Sequence, residues 1–163
     1  MHTKKLLAGL CVLSCVLLGC AGASAAPAAG EHGNTQAASD LPPVPTLSAA
    51  DVATGATLYA QHCASCHGKA LEGQPNWKQP LPNGKYPAPP HDNTGHTWHH
   101  NDGVLLAITL NGGNGQGDMS HGDMPAFKAT LSPAQAQQIL TFIKSRWGTQ
   151  QRDYQWARTY AGN

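Results

Sequence analysis

The chain has 163 residues and a formal net charge of +1, which allows one domain and leaves little length for a second. Leu, Ile, Val and Phe together fall below the roughly 20% share under which a chain rarely builds a core of its own, and charged residues are only 12%. The composition therefore excludes a self-sufficient apolar core, and it also excludes a highly charged disordered tail. No basic stripe is present, so nucleic acid is excluded as an expected partner.

The N-terminal residues 1–20 are typical of a secretory signal. Lys4 and Lys5 precede an apolar stretch over residues 6–18, and a short basic start followed by such a stretch directs export. The stretch is shorter than the roughly 20 residues that a membrane-spanning helix needs. We therefore expect the protein in the periplasm or elsewhere in the cell envelope.

Two cleavage sites are compatible with this signal. Residues 17–20 read Leu-Leu-Gly-Cys and resemble a bacterial lipobox, in which the cysteine becomes the lipidated first residue of the mature chain. Residues 23–25 read Ala-Ser-Ala and suit the ordinary signal peptidase, which would cut after residue 25. We favour the lipobox, because this placement of Cys20 is the less common feature. Lipidation of Cys20 would anchor the protein to a membrane.

The rest of the chain divides by composition. Residues 21–47 are dominated by Ala, Gly, Pro, Ser and Thr without an apolar period, which predicts a flexible tether. A folded domain is expected at 48–147, followed by a C-terminal extension at 148–163 with a short helix at 149–160. The sequence shows helical spacing of apolar residues and no strand alternation. The predicted fold class is therefore all-α.

Three helices are predicted within 48–147 from polar N-cap residues followed by apolar residues at helical spacing. The third has the strongest start, a serine followed by proline, and is expected to run through Trp147 to Gly148. The prolines concentrated in 69–100 and the glycines in 111–123 predict loops in both segments. The expected N-caps are Ser48, Asp102 and Ser132.

The residues Cys63-Ala64-Ser65-Cys66-His67 form the C-x-x-C-H signature of covalent haem attachment. The thiols of Cys63 and Cys66 lie one helical turn apart and can add to the two haem vinyl groups, while His67 can bind the iron as proximal ligand. The alternatives are a disulfide in an exported protein and a zinc site. Zinc is disfavoured because the chain has no second cysteine pair at matching spacing.

The sixth ligand of such an iron must come from elsewhere in the chain. Met119 and Met124 are the only methionines after the first residue. Met124 is favoured, because Pro125 stiffens its loop and Phe127 can form a wall of the haem pocket. Met119 ranks second. A histidine in place of Met124 would give a bis-histidine haem.

Roughly residues 48–147 resemble the small class I c-type cytochromes. The resemblance lies in the order of the elements: a helix, C-x-x-C-H-G, a proline-rich loop, Met-Pro-Ala-Phe and a terminal helix. The resemblance implies about three to five helices wrapped around one covalent haem c, with His67 and Met124 as axial ligands. It implies an electron carrier rather than an enzyme, with redox proteins such as an oxidase, a dehydrogenase or another cytochrome as partners.

The resemblance also implies two features of packing. The first and last helices of the domain are expected to cross, with Gly55 and Tyr59 near Phe142 or Ile143. A proline carbonyl is expected to accept a hydrogen bond from the proximal histidine. The candidate prolines are Pro89 and Pro90, and after them Pro75.

Histidines are concentrated in one part of the chain, between positions 91 and 121. The segment 89–100, with its Gly-His-Thr-Trp-His-His run, resembles a subgroup of proteobacterial monohaem cytochromes. We expect Trp98 and one or two histidines to pack against the haem edge or to bond its propionates. The less favoured alternative is a copper or zinc site on His96 with His99 or His100. The clustered histidines are His91, His96, His99, His100 and His121.

Three hypotheses about function follow from these residues. The first is an electron carrier with both axial positions of the iron filled. The second is a haem protein with an open or displaceable sixth position that binds a small ligand such as peroxide or nitric oxide. The third is a copper-handling protein that uses the histidine-rich loop.

Overall fold

The computed structural model describes residues 41–162. Within this range the secondary structure is helical, and none of these residues lies in a strand, so the all-α prediction is confirmed. The expected signal at 1–20, both cleavage sites and the tether up to residue 40 lie outside the described residues. The helices are α1 (Ala49–His62), α2 (Ala64–His67), α3 (Asp102–Asn111), α4 (Pro133–Lys144) and α5 (Thr149–Ala161), with a 3-10 turn at Thr97–His99.

Two of the three predicted N-caps are confirmed. The Ser48 hydroxyl accepts a hydrogen bond from the Asp51 amide at 3.3 Å, which starts α1. The Ser132 hydroxyl accepts from the Gln135 amide, and the Gln135 side chain accepts from the Ser132 amide. This reciprocal pair satisfies two backbone donors that α4 would otherwise leave without partners.

The predicted cap of α3 was wrong by one residue. Asn101, not Asp102, is the N-cap, and its side-chain oxygen accepts from the Val104 amide at 2.8 Å. The Asp102 carboxylate serves tertiary contacts instead, accepting hydrogen bonds from Lys144 at 2.7 Å and from Gln155 at 2.6 Å. Because side chains of α4 and α5 bond the Asp102 carboxylate, Asn101 rather than Asp102 caps α3.

The predicted end of α4 was also wrong. The helix stops at Lys144 with Ser145 as C-cap, and Gly148 is the N-cap of α5 rather than the end of α4. Trp147 is nevertheless buried, because the turn lets its indole N–H donate to the His91 carbonyl at 2.7 Å. The short helix expected at 149–160 is confirmed as α5.

The crossing of α1 and α4 forms the centre of the core. At Gly55 a Cβ atom would lie only 1.9 Å from the Gln138 carbonyl oxygen, so the crossing needs glycine there. The rings of Tyr59 and Phe142 pack with centroids 5.3 Å apart, which confirms the expected contact. The buried apolar residues are Tyr59, Cys63, Leu71, Leu105, Leu131, Ala136, Ile139, Leu140, Phe142, Ile143 and Trp147.

Residues 41–47, the end of the segment expected to be a tether, contact α5. The Trp156 indole donates to the Pro42 carbonyl at 2.7 Å, and Arg152 donates to the Pro45 carbonyl at 2.8 Å. A cavity of about 280 Å³ lies between this segment, α4 and α5, and no residue of the C-x-x-C-H motif lines it. Among the described helices, none combines the length and the apolar character needed to cross a bilayer.

Candidate functional site

The C-x-x-C-H motif lies where α1 passes into α2. Cys63 ends α1 and caps α2, and the His67 amide donates to the Cys63 carbonyl at 2.9 Å, which keeps one helical turn between the two cysteines. Cys63 is buried and Cys66 is exposed, and both are free thiols. Burial raises the pKa of the Cys63 thiol to about 11, with a smaller contribution from Cys66. The two thiols are therefore unpaired and are carried one helical turn apart.

The imidazole of His67 is oriented by a proline carbonyl. Its Nδ1 lies 2.8 Å from the Pro89 oxygen, so Nδ1–H donates and Nε2 carries no hydrogen. Of the prolines expected to serve this purpose, Pro89 is the one that does. Burial lowers the pKa of His67, while the bond to Pro89 acts in the opposite direction. A buried neutral imidazole with a bare Nε2 is a suitable ligand for a metal ion.

Two glycines allow other segments to pack closely against Pro90, next to Pro89. A Cβ atom on Gly73 would lie 2.4 Å from the Pro90 nitrogen, and one on Gly95 would lie 2.0 Å from the Pro90 oxygen. The Gly73 amide also donates to the His67 carbonyl at 2.8 Å. The segment that orients His67 is therefore packed tightly on both sides, and this close approach explains the glycines.

His91 contacts His67 directly. The two rings stack with centroids 4.0 Å apart and an interplanar angle of 24°. Burial holds the pKa of His91 well below its ordinary value, with His67 and His96 adding to the effect. The sequence placed His91 in a histidine-rich segment, but nothing in the local pattern indicated this contact.

The Met124 segment lies along the C-terminal end of α3. The Gly113 amide donates to the Met124 carbonyl at 2.9 Å, and the Phe127 amide donates to the Thr109 carbonyl at 3.2 Å. At Gly112, which has a φ of 76°, a Cβ atom would lie 2.7 Å from the Met124 oxygen. The backbone at Met124 is thus fixed against a helix.

The proline-rich loop contacts the segment before Met124. The Tyr86 amide donates to the His121 carbonyl at 3.0 Å, and Lys85 forms an ion pair with Asp123. These contacts join two stretches that are far apart in the sequence. The loop that carries Met124 is therefore held from two directions, by α3 and by the proline-rich loop.

The indole N–H of Trp98 is buried and has no hydrogen-bond partner among the described residues. Its ring packs on His99, with centroids 3.8 Å apart, and against the edge of Tyr154. A buried donor without an acceptor is costly, and a haem propionate is an acceptor of the kind it lacks. Two thiols and an imidazole with a bare Nε2 fit a covalently attached haem.

The other histidines of residues 41–162 form no cluster of three or more metal ligands. His96 stacks on Trp77 with centroids 5.4 Å apart and lies 5.5 Å from the His100 ring. In residues 41–162 there is no group of three or more His, Cys, Asp or Glu side chains that could hold a metal ion. The copper-handling hypothesis therefore gains no support from the described part of the chain.

Comparison with known proteins gives one match. A family model described as cytochrome c matches residues 52–147, from the first turn of α1 to Trp147. The match covers more than half of the chain and leaves out α5. No curated protein and no solved structure is significantly similar to the chain.

Proposed function

The chain belongs to the cytochrome c family, and from this we propose that it is a monohaem electron carrier with His67 and Met124 as the axial ligands. Its cofactor is covalently bound haem c, whose iron supplies one-electron chemistry by alternating between the ferric and ferrous states. In the proposal, Cys63 and Cys66 form the thioether bonds.

The observation that carries the proposal is the hydrogen bond from His67 to Pro89. It fixes the tautomer and one edge of the ring, and it leaves Nε2 without a hydrogen and free to bind iron. A carbonyl acceptor on Nδ1 raises the basicity of a metal-binding imidazole. The chain thus presents an oriented ligand directly after its two attachment points.

The hydrogen bonds around Met124 favour this residue over Met119 as the sixth ligand. Both side chains are half-buried. The Met124 segment is bonded to α3, whereas the hydrogen bonds beside Met119, such as those from Ser120 to Asp118, stay within its own loop. A methionine ligand suits an electron carrier, because its thioether raises the reduction potential of the iron.

The partners we propose are other redox proteins. Electron transfer requires only short-lived contacts, and weak redox complexes use small interfaces. An oxidase, a dehydrogenase or another cytochrome would satisfy this requirement.

We further propose export to the cell envelope and attachment through lipidated Cys20. The support is the basic start, the apolar stretch and the Leu-Leu-Gly-Cys motif at residues 17–20. Mass spectrometry of the mature N-terminus tests this proposal. A diacylated peptide that begins at Cys20 is the expected result, and a free N-terminus at residue 26 would contradict it.

Replacement of Met124 tests the axial pair. In Met124→Ala the methionine-to-iron charge-transfer band should disappear, and the potential should fall by a substantial part of the roughly 0.8 V range that axial ligands span. Met119→Ala is the matched control, which should keep both properties. If Met119→Ala loses the band and Met124→Ala keeps it, the assignment of Met124 is wrong.

A further inference from the structure

The backbone of His91 is fixed from two sides. Its amide donates to the Leu71 carbonyl at 2.8 Å, and its carbonyl accepts from the Trp147 indole at 2.7 Å. Trp147 follows α4, and Leu71 belongs to the loop after the C-x-x-C-H motif. The residue is therefore tied both to the helical core and to the neighbourhood of His67.

The imidazole of His91 is fixed as well. Its Nδ1 lies 2.8 Å from the Thr97 hydroxyl oxygen, and that hydroxyl oxygen also lies 3.3 Å from the Pro90 carbonyl oxygen. At 2.8 Å the contact with His91 is the shorter of the two, and it holds the ring whichever group donates. The bond restrains the plane of the His91 ring, and Thr97 is itself buried.

This fixed ring lies flat against His67. The hydrogen bond to Pro89 holds one edge of the His67 imidazole but leaves rotation about the Nδ1···O direction open. The stacked face of His91, with centroids 4.0 Å apart and planes 24° apart, limits that rotation. Tyr59 contacts His91 edge-on, with centroids 6.2 Å apart, and helps to keep it in place.

We propose that His91, held by Thr97, is a positioning residue that sets the plane of the His67 imidazole. The inference rests on the proposed function, in which His67 is the proximal ligand of the iron. Groups that contact a metal ligand from outside determine its orientation and thereby the electronic properties of the metal. Together with the orientation of the second axial ligand, the plane of the axial imidazole determines how unpaired spin is distributed over the four sides of a ferric haem.

Paramagnetic NMR of the full-length ferric holoprotein measures this distribution, because the haem methyl resonances shift according to the imidazole plane. We compare His91→Leu, which removes the aromatic ring, with His91→Phe, which keeps a flat ring without the Thr97 bond. Thr97→Val removes the hydroxyl that bonds His91 while preserving volume, and it serves as an independent test if His91→Leu fails to fold. His96→Leu is the control, because His96 contacts Trp77 and His100.

In His91→Leu the order or spread of the methyl shifts should change several-fold more than in the His96→Leu control. Thr97→Val and His91→Phe, which keep a stacked ring but lose the bond that holds it, should both change them in the same direction by a smaller amount. Wild-type methyl shifts in both His91→Leu and Thr97→Val would overturn the inference, as would equal changes in His91→Phe and His91→Leu. A wild-type spectrum without the signals of a low-spin, imidazole-bound ferric haem would instead overturn the proposed function.

Discussion

Tyr59 connects the core to the C-x-x-C-H motif through a single hydroxyl group. Its side chain is 1% exposed, and the hydroxyl donates to the Gly68 carbonyl at 3.0 Å, directly after His67. Burial raises the pKa of this hydroxyl above its ordinary value, so it remains a donor across the physiological pH range. The bond anchors the C-terminal end of α2, where the chain reverses.

Replacing Tyr59 with Phe should lower the free energy of unfolding of the holoprotein by about 1 kcal/mol, because a buried hydrogen bond is lost and the ring is kept. Guanidinium titration followed by circular dichroism measures the change. Tyr154→Phe is the control, since that residue is 43% exposed and such surface changes stay within about 0.5 kcal/mol. Equal stabilities of the Tyr59 variant and wild type would contradict this role.

The role of a residue could be predicted from the sequence where it depends on near neighbours in the chain. It could not be predicted where it depends on contacts between distant parts of the chain. Ser48 and Ser132 cap the helices that follow them, and a serine before a helical pattern is sufficient to show it. The contact of His91 with His67 joins two distant points of the chain. No periodicity marks such a pair, and only the fold brings them together.

The same distinction appears for whole helices. The existence of α1, α3, α4 and α5 follows from apolar spacing and capping residues. Their boundaries were less predictable: α3 begins one residue earlier than its expected cap implied, and α4 stops before Trp147. In both places a tertiary hydrogen bond competes with the local preference, and it determines the boundary.

The packing of α1 on α4 depends on Gly55. In Gly55→Ala the new methyl group would meet the Gln138 carbonyl at 1.9 Å, so the helices must separate, at a cost of about 1–3 kcal/mol. This exceeds the roughly 1 kcal/mol that alanine contributes to helix propensity. Chemical denaturation of the holoprotein should therefore show a less stable variant.

Gly103→Ala is the matched control for this prediction. Gly103 lies in α3, where a Cβ atom would meet only the Asn101 side chain at 3.4 Å, an ordinary contact. The variant should be as stable as wild type or gain up to about 1 kcal/mol. If both glycine variants gain stability, the helices do not cross as closely as described.

The shortage of large apolar side chains bears on the stability of the whole molecule. Leu, Ile, Val and Phe are scarce along the chain, and a haem is a broad apolar surface around which a small domain can fold. When a cofactor site forms only in the folded state, its binding free energy contributes to folding. We therefore expect the described helices to depend on the cofactor for a large part of their stability.

Blocking haem attachment should therefore unfold much of the domain. A full-length Cys63→Ser/Cys66→Ser variant should lose most of the helical circular dichroism that the holoprotein shows at the same temperature. The holoprotein is the control, and its helical signal should be retained. A variant that stays helical without haem would show that the protein core is sufficient by itself.

In the proposed electron carrier, both axial positions of the iron are filled. A spectroelectrochemical titration of the purified holoprotein, repeated under carbon monoxide, tests this coordination most directly. We expect one reversible one-electron transition, low-spin spectra at both ends and no rapid binding of carbon monoxide to the reduced protein. A high-spin reduced form that binds carbon monoxide at once would contradict six-coordinate iron and favour a haem that binds small ligands.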